Sequence, residues 1–430
     1  MRRLPVVVVF ATIAAAAVVV LLLADPTTDL TPTTGAPATQ APSSTVATGD
    51  PAIQPASSTV VSGNNEGSVA TVQADVWRPM PSGPLSSREG AHMFWTGGEV
   101  FVIGGSDAPP CPPAASCVPP DSPALADGAA FDPATGQWRT IAPSPVPLGN
   151  ADGVVHDGRI FLWVTDLDGR PASERAFLVY DPAEDSWERL EIPQSMPGAF
   201  ALSDAGDLIV AHQTSQERGV DGDYLFDLNL RSWSLLPPDP LQPSFDRTMV
   251  WAGSELVLLG VEAVAQPGST GPPVYRAAAY DMASGSWSQL PASEVIAWSP
   301  IWYWAGDRII NPSVGSSDGG DVNNYGRLYP FGGILDPASG SWASLPSGAD
   351  QPTQFTGYTA GNPDLLLNFE GWVLDVAGGR WLALDAPDQR DSQGSAVTWA
   401  GSDLLVWGGV VWDGDNGILV NTGWMWRPDR

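Results

Sequence analysis

Three arginines stand just ahead of short apolar runs: Arg88 in SSREGAH, Arg247 in SFDRTMV and Arg390 in DQRDSQGS. A guanidinium presents a planar fork of donors that fits a carboxylate bidentately, so three of them converging would suit an acidic ligand. The same residue type also serves as a structural tie to a nearby Asp or carbonyl, and the sequence leaves both readings open. Trp298 and Trp412 fall in or beside loops, where an exposed indole can stack on a sugar or a peptide. Asp413 and Asp415 in DGDNG, with Asp318 and Asp321 in DGGDVNN, gather oxygens as weak calcium candidates. Neither stretch carries the full spaced set of carboxylates, and Asp-Gly is ordinary turn chemistry.

Other chemistry is excluded or unsupported. All 19 basic residues are Arg, so lysine Schiff-base chemistry and a phosphate-binding loop lysine are ruled out. His92, His156 and His212 fall in three separate stretches, His156 within a hairpin phrase, HDGR. GSSDG at Gly315–Gly319 matches a nucleophile-elbow spelling but sits in a Gly/Ser/Asp loop. Among 48 acidic residues no glycosidase pair can be singled out. A formal net charge of −29 repels phosphate backbones, which argues against nucleic acid as a partner. No metal or other cofactor is called for. Cys111 and Cys117 enclose PPAAS and read as a local disulfide in an oxidising compartment.

These residues sit at loops, so the elements between the loops decide what they can do together. With 46 Gly, 42 Pro and only 16% charged residues, the composition is that of an all-β chain. One phrase recurs: DPATGQW ending at Trp138, DPAEDSW at Trp187, DMASGSW at Trp287 and DPASGSW at Trp342. Looser copies close at Trp233 and Trp381, and Trp77 stands alone near the start. Each unit runs through an apolar stretch, a Gly turn, a second apolar stretch, a variable loop, a third ending in Asp, and a fourth opened by Trp. That order makes four short strands with tight hairpins at the first and third connections. The Asp-Pro-Ala-Ser-Gly phrase supplies the outer turn: Pro presets φ, Asp bonds the backbone ahead, and Gly takes a positive φ.

A four-stranded unit of roughly 50 residues cannot cover both its faces, so neighbours must stack radially into a β-propeller. Six complete third-strand phrases are present; GWMWRPD near the C-terminus is a seventh without its Trp. The strand opened by Trp77 would complete it, giving seven four-stranded antiparallel blades in a ring closed by the N-terminal strand. Strands alternate in direction, so the long connections emerge on one face: Ser106–Gly128, Asp166–Arg175, Gln213–Asp223, Glu262–Arg276, Pro312–Phe331 and Val410–Gly423. Ligand-binding residues are expected on that face.

VIGG at Val102–Gly105, VWGG at Val406–Gly409 and the spaced Tyr/Phe-Asp-Pro…Trp phrases carry a resemblance. From Trp77 to the C-terminus the chain resembles the kelch-repeat β-propeller family, which includes galactose-oxidase-like propellers, in divergent form. The double glycine survives only in the first and last units, so no site is carried over from it. The copper-oxidase residues are absent, since both cysteines share one short loop and the histidines are dispersed.

Ahead of this domain, Leu4–Leu23 is free of charge and long enough to cross a hydrocarbon core of about 30 Å, with Arg2 and Arg3 before it. Residues 1–24 therefore read as a cytoplasmic Arg pair and a transmembrane signal-anchor helix. The competing reading is secretion after signal cleavage, against which Leu22 stands where a small residue is wanted. Residues 25–73 read as a Pro/Thr/Ser/Ala-rich disordered stalk, and 74–430 as the propeller. The expectation is a membrane-anchored, extracytoplasmic, monomeric binding module for a protein, peptide or glycan. The alternative is a carbohydrate-active enzyme that uses an Arg-lined channel mouth for an acidic sugar.

Overall fold

The computed structural model describes residues 77–429, apart from 113–114, 116, 118–123, 166–174, 195, 197, 216–221, 242, 263–273, 298, 315–329, 350–351, 354, 388–391 and 415. The expected transmembrane segment and stalk lie outside these residues. Within them no helix is long and apolar enough to cross a membrane.

Seven four-stranded antiparallel sheets form a β-propeller. Blade 1 holds His92–Trp95, Val100–Ile103, Gly128–Asp132 and Gln137–Thr140, from the innermost strand outwards. Blades 2 to 6 repeat the order over 151–190, 201–235, 244–289, 303–343 and 360–383. Blade 7 is composite: Ala396–Ala400, Asp403–Trp407 and Gly423–Trp426 come from the C-terminal end, and its outermost strand is Arg78–Pro79.

The second strand of each blade is apolar on both faces because each face meets a different neighbour. Val100 and Val102 join Leu405 and Trp407 of blade 7, while Phe101 and Ile103 join Ile160 and Leu162 of blade 2. The same division repeats around the molecule, so the apolar core consists of seams between blades. Burial of this kind is worth about 25 cal/mol per Å² and is the main reason the blades adhere.

The recurrent tryptophans have a second role besides packing. Each opens or precedes an outer strand and donates its indole N–H to a carbonyl that leaves the previous blade. Trp138 reaches Pro81 (2.9 Å), Trp187 Ala142 (2.8 Å), Trp233 Glu191 (2.9 Å), Trp287 Pro237 (2.8 Å), Trp342 Pro291 (3.0 Å) and Trp381 Pro346 (2.8 Å). Trp77 does the same to Asp385 at 2.6 Å, across 308 residues of sequence. In the intervening turns the Asp side chain accepts backbone N–H groups, as Asp336 does from Ala338 (3.0 Å), and Gly340 takes φ 67°.

One expected loop is structured. The stretch from Val410 pairs as a hairpin, Val410–Asp413 with Asn416–Leu419, and Ser392–Gln393 adds a third strand. Apolar residues on either side of a short Asp-Gly turn favour a hairpin over an irregular loop.

Candidate functional site

Arg88 is 1% exposed and lies four residues before the innermost strand of blade 1. Its fork grips Asp127 with both nitrogens, at 2.7 and 3.0 Å, and Nη1 also donates to the Gly104 carbonyl at 3.1 Å. Ser86 accepts the remaining bonds through its carbonyl (3.1 Å) and hydroxyl (2.8 Å). The hydrogen bonds from Arg88 hold the Asp127 carboxyl below its ordinary range. The surviving double glycines now have a reason. A Cβ at Gly105 would run into the backbone of Glu89 and Ala91, and one at Gly408 would meet the Arg88 carbonyl. The chain carrying Arg88 is thus clamped between blades 7 and 1.

Arg247 belongs to the innermost strand of blade 4, Ser244–Trp251, and does not precede it. It is also 1% exposed. Its donors meet Asp223 (2.6 Å), Asp239 (3.2 Å), the Ser244 hydroxyl (2.8 Å) and the Gln213 carbonyl (3.1 Å), tying blade 3 to blade 4. Gly260 leaves room for its stem, since a Cβ there would sit 3.3 Å from Arg247 Cγ. Both guanidiniums are therefore occupied by protein acceptors within blade seams. Arg390, the third of the set, lies outside the described residues.

Trp412 is in a strand of the blade 7 hairpin, and its ring covers Gly417. Pro110, next to the disulfide between Cys111 and Cys117 (Cα–Cα 5.9 Å), reaches the same glycine from blade 1. Two loop-face connections therefore pack on one another. Asp413 is exposed and paired opposite Asn416 at the hairpin end. Trp298, Asp318, Asp321 and Asp415 lie outside the described residues. Among the described residues no three His, Cys, Asp or Glu side chains gather to hold a metal ion.

A different cluster lies at the loop end of blade 4. Between Phe245 and Thr248 the register with the second strand shifts, a bulge that leaves Asp246 at φ 48°. Non-glycine residues in that region cost on the order of 1–3 kcal/mol, and bulges often re-aim a side chain. Two ring groups sit nearby. Tyr275 is 1% exposed and Trp302, from blade 5, 4%; their rings meet edge to face at 5.1 Å and 70°. Tyr275 Oη and Trp302 Nε1 are both buried and find no hydrogen-bond partner outside their own pair. Burial, with the Asp246 charge added, pushes the Tyr275 phenol well above its usual range, and the Trp302 indole pulls the other way. On the other flank, burial and the Arg247 charge lower His212 to about 3, so its imidazole is neutral, and Nδ1 has no partner.

The repeat leaves Trp302 without a place in its pattern and says nothing of Tyr275. The one signal was the polar phrase SFDRTM, which interrupts an otherwise apolar innermost strand. His92, in blade 1, is likewise buried and lowered to about 4 by desolvation. The chain matches no known protein family, and no curated protein is significantly similar to it.

Proposed function

We propose that the protein is a kelch-type propeller that presents its loop-rich face to a protein, peptide or glycan outside the cell. The observation that carries this reading is the division of labour between the two faces. One face is made of short, self-satisfied turns. The other bears a disulfide-stapled loop and an added hairpin sheet that pack together through Pro110, Gly417 and Trp412. Rigid blades carrying elaborated connections are the usual basis of a recognition surface. The acidic-sugar enzyme has less support, because Arg88 and Arg247 already spend their donors on Asp127, Asp223, Asp239 and nearby carbonyls.

In the same reading, Leu4–Leu23 anchors the chain and the stalk carries the propeller away from the membrane. The strap from Trp77 to Pro81 closes the ring, a role supported by its indole bond to blade 6 and its acceptance of Trp138 from blade 1. The test is to pass purified full-length protein over glycan and peptide arrays. Retention of one ligand class by native but not by unfolded protein is expected. Failure to retain either class overturns the reading. A mature form released to the medium and beginning near Ala24 overturns the anchor.

A further inference from the structure

A sheet whose last strand has no neighbour presents a row of backbone donors and acceptors, and natural proteins guard such edges with charge, proline or a bulge. Asn416–Leu419 is the edge strand of the hairpin sheet added to blade 7, beside Val410–Asp413 and then Ser392–Gln393. None of its residues is charged or a proline. Its unused hydrogen bonds follow from the register. Val420 donates to the Gly409 carbonyl at 2.9 Å, and bonded positions alternate along an antiparallel pair. Val420 with Gly409, Ile418 with Val411 and Asn416 with Asp413 are therefore the bonded pairs. The N–H and C=O of Gly417 and Leu419 point away from the hairpin, and among the described residues no hydrogen bond reaches them.

The strap that closes the ring does not cover this edge. It runs along blade 7 from Arg78, paired with Met425, to Arg88, whose N–H meets the Val420 carbonyl at 3.3 Å. There the chain turns into blade 1, where Glu89 bonds Ser106 at 3.0 Å. The residues ahead of Val420 continue without it.

Side chains and charge say what would fit. Because side chains alternate along a strand, Ile418 and Asn416 share a face with Val411 and Asp413. Ile418 is 53% exposed and Val411 half-buried, an apolar pair at the edge. Asp413 is exposed at the end of the hairpin, and Asp107 is exposed on the neighbouring disulfide-bearing loop. Acidic residues outnumber basic ones 48 to 19 in the whole chain, so a second copy is repelled and a basic segment attracted.

We infer that the edge Asn416–Leu419 is a docking site for an extended, basic segment of a partner protein, which adds to the hairpin sheet as a further strand. Its main chain bonds Gly417 and Leu419, an apolar side chain lies beside Ile418, and an arginine or lysine two positions along reaches toward Asp413. This rests on the proposed role of the loop-rich face and narrows its ligand to one class.

The test titrates full-length protein with the peptide Thr-Arg-Thr-Val-Thr-Arg-Thr, with its counterpart carrying Glu for Arg, and with the Arg peptide N-methylated at its third and fifth residues. Binding is read by calorimetry, and self-association by sedimentation. Two variants probe the edge. Leu419→Pro removes an outward donor and no bond of the hairpin, and Ile418→Lys sets a like charge against the peptide at an exposed position. The Arg peptide is expected to bind, with affinity falling about tenfold in Leu419→Pro, the loss of one hydrogen bond, and at least as far in Ile418→Lys. The Glu and N-methylated peptides should bind at least tenfold more weakly. Should Leu419→Pro lower the melting temperature, Ile418→Lys decides alone. Equal binding of the N-methylated peptide overturns strand addition, and equal binding of the Glu peptide overturns the basic partner. Arg-peptide binding that is absent, or indifferent to both variants, overturns the site. A dimer that Ile418→Lys abolishes makes a second copy the occupant and overturns the partner. Each of these leaves the loop-face reading intact; only failure to retain any ligand class on the arrays removes both.

Discussion

The strap that joins the two ends of the domain gives the most direct test of the architecture. Trp77 packs on Phe355 at 5.5 Å and Trp426 at 6.5 Å and bonds the Asp385 carbonyl, all at the seam of blades 6 and 7. Met80, 7% exposed, belongs to the other seam, where it packs with residues of blades 7 and 1. Removing a fully buried Trp costs about 3–5 kcal/mol and a buried Met about 2–5. Trp77 is half-buried, so about 2 kcal/mol of packing and about 1 for its hydrogen bond are at stake. Adding about 2 kcal/mol for Met80 gives about 5 kcal/mol for Trp77→Ala with Met80→Ala, the two sites being separate enough to add. At about 2.1 cal/mol/K of unfolding entropy per residue, a propeller of this length loses roughly 1.4 °C per kcal/mol, hence about 7 °C. Trp77→Phe keeps most of the packing and should lose only about 1–2 °C. Calorimetry on the full-length protein decides it. A double variant that melts within 2 °C of the parent would refute the claim that the strap holds both seams.

Three other expectations concern buried charge. Arg247→Met leaves the Asp223 and Asp239 carboxylates in the seam without their cation and should destabilise by about 3–5 kcal/mol at pH 7, and by less at pH 4, since burial already raises the Asp223 carboxyl toward its neutral form; urea titrations at the two pH values would show it. Burial pushes Asp152, which bonds Leu202 N–H at 2.6 Å across the blade 2–blade 3 seam, up to about 7. Its folded value lies above the ordinary one, so the native state holds the extra proton between about pH 4 and 7, and stability falls as pH rises through that window. Asp152→Asn should therefore match the parent near pH 4 and exceed it by on the order of 2 kcal/mol above pH 7. A constant difference across pH would contradict this. His92 and His212 have the opposite sign: depressed to about 4 and 3, they remain neutral while the unfolded chain protonates, so stability drops as pH falls below about 6.5. Their imidazole NMR shifts should stay flat from pH 8 to 5.

The blades were legible because their cause is local and repeated. A turn phrase, a strand of alternating or continuous apolar residues and a closing Trp recur at a period that only radial stacking can bury. The last copy of the phrase lacks its Trp, and there Arg78–Pro79, next to Trp77, pairs with Met425 and Trp424. The arginines show where such reading stops. Sequence position marked Arg88 and Arg247 as channel candidates, but which acceptors face a guanidinium depends on chain segments up to 39 residues away: Asp127 for Arg88, Asp223 and Asp239 for Arg247. Similarly, Trp412 looked like a loop residue until its strand found Asn416–Leu419.

The sequence by itself determined the repeat, the four-strand blade, the two unlike faces and the local disulfide, because each follows from residues close together in the chain. Tertiary structure alone decided which polar groups are spent and which are left over. Tyr275 and Trp302 are 27 residues apart and belong to different blades, yet their rings meet edge to face in the seam between them. Hydrogen-bond satisfaction in the interior is settled between neighbouring blades, and no stretch of one blade encodes it.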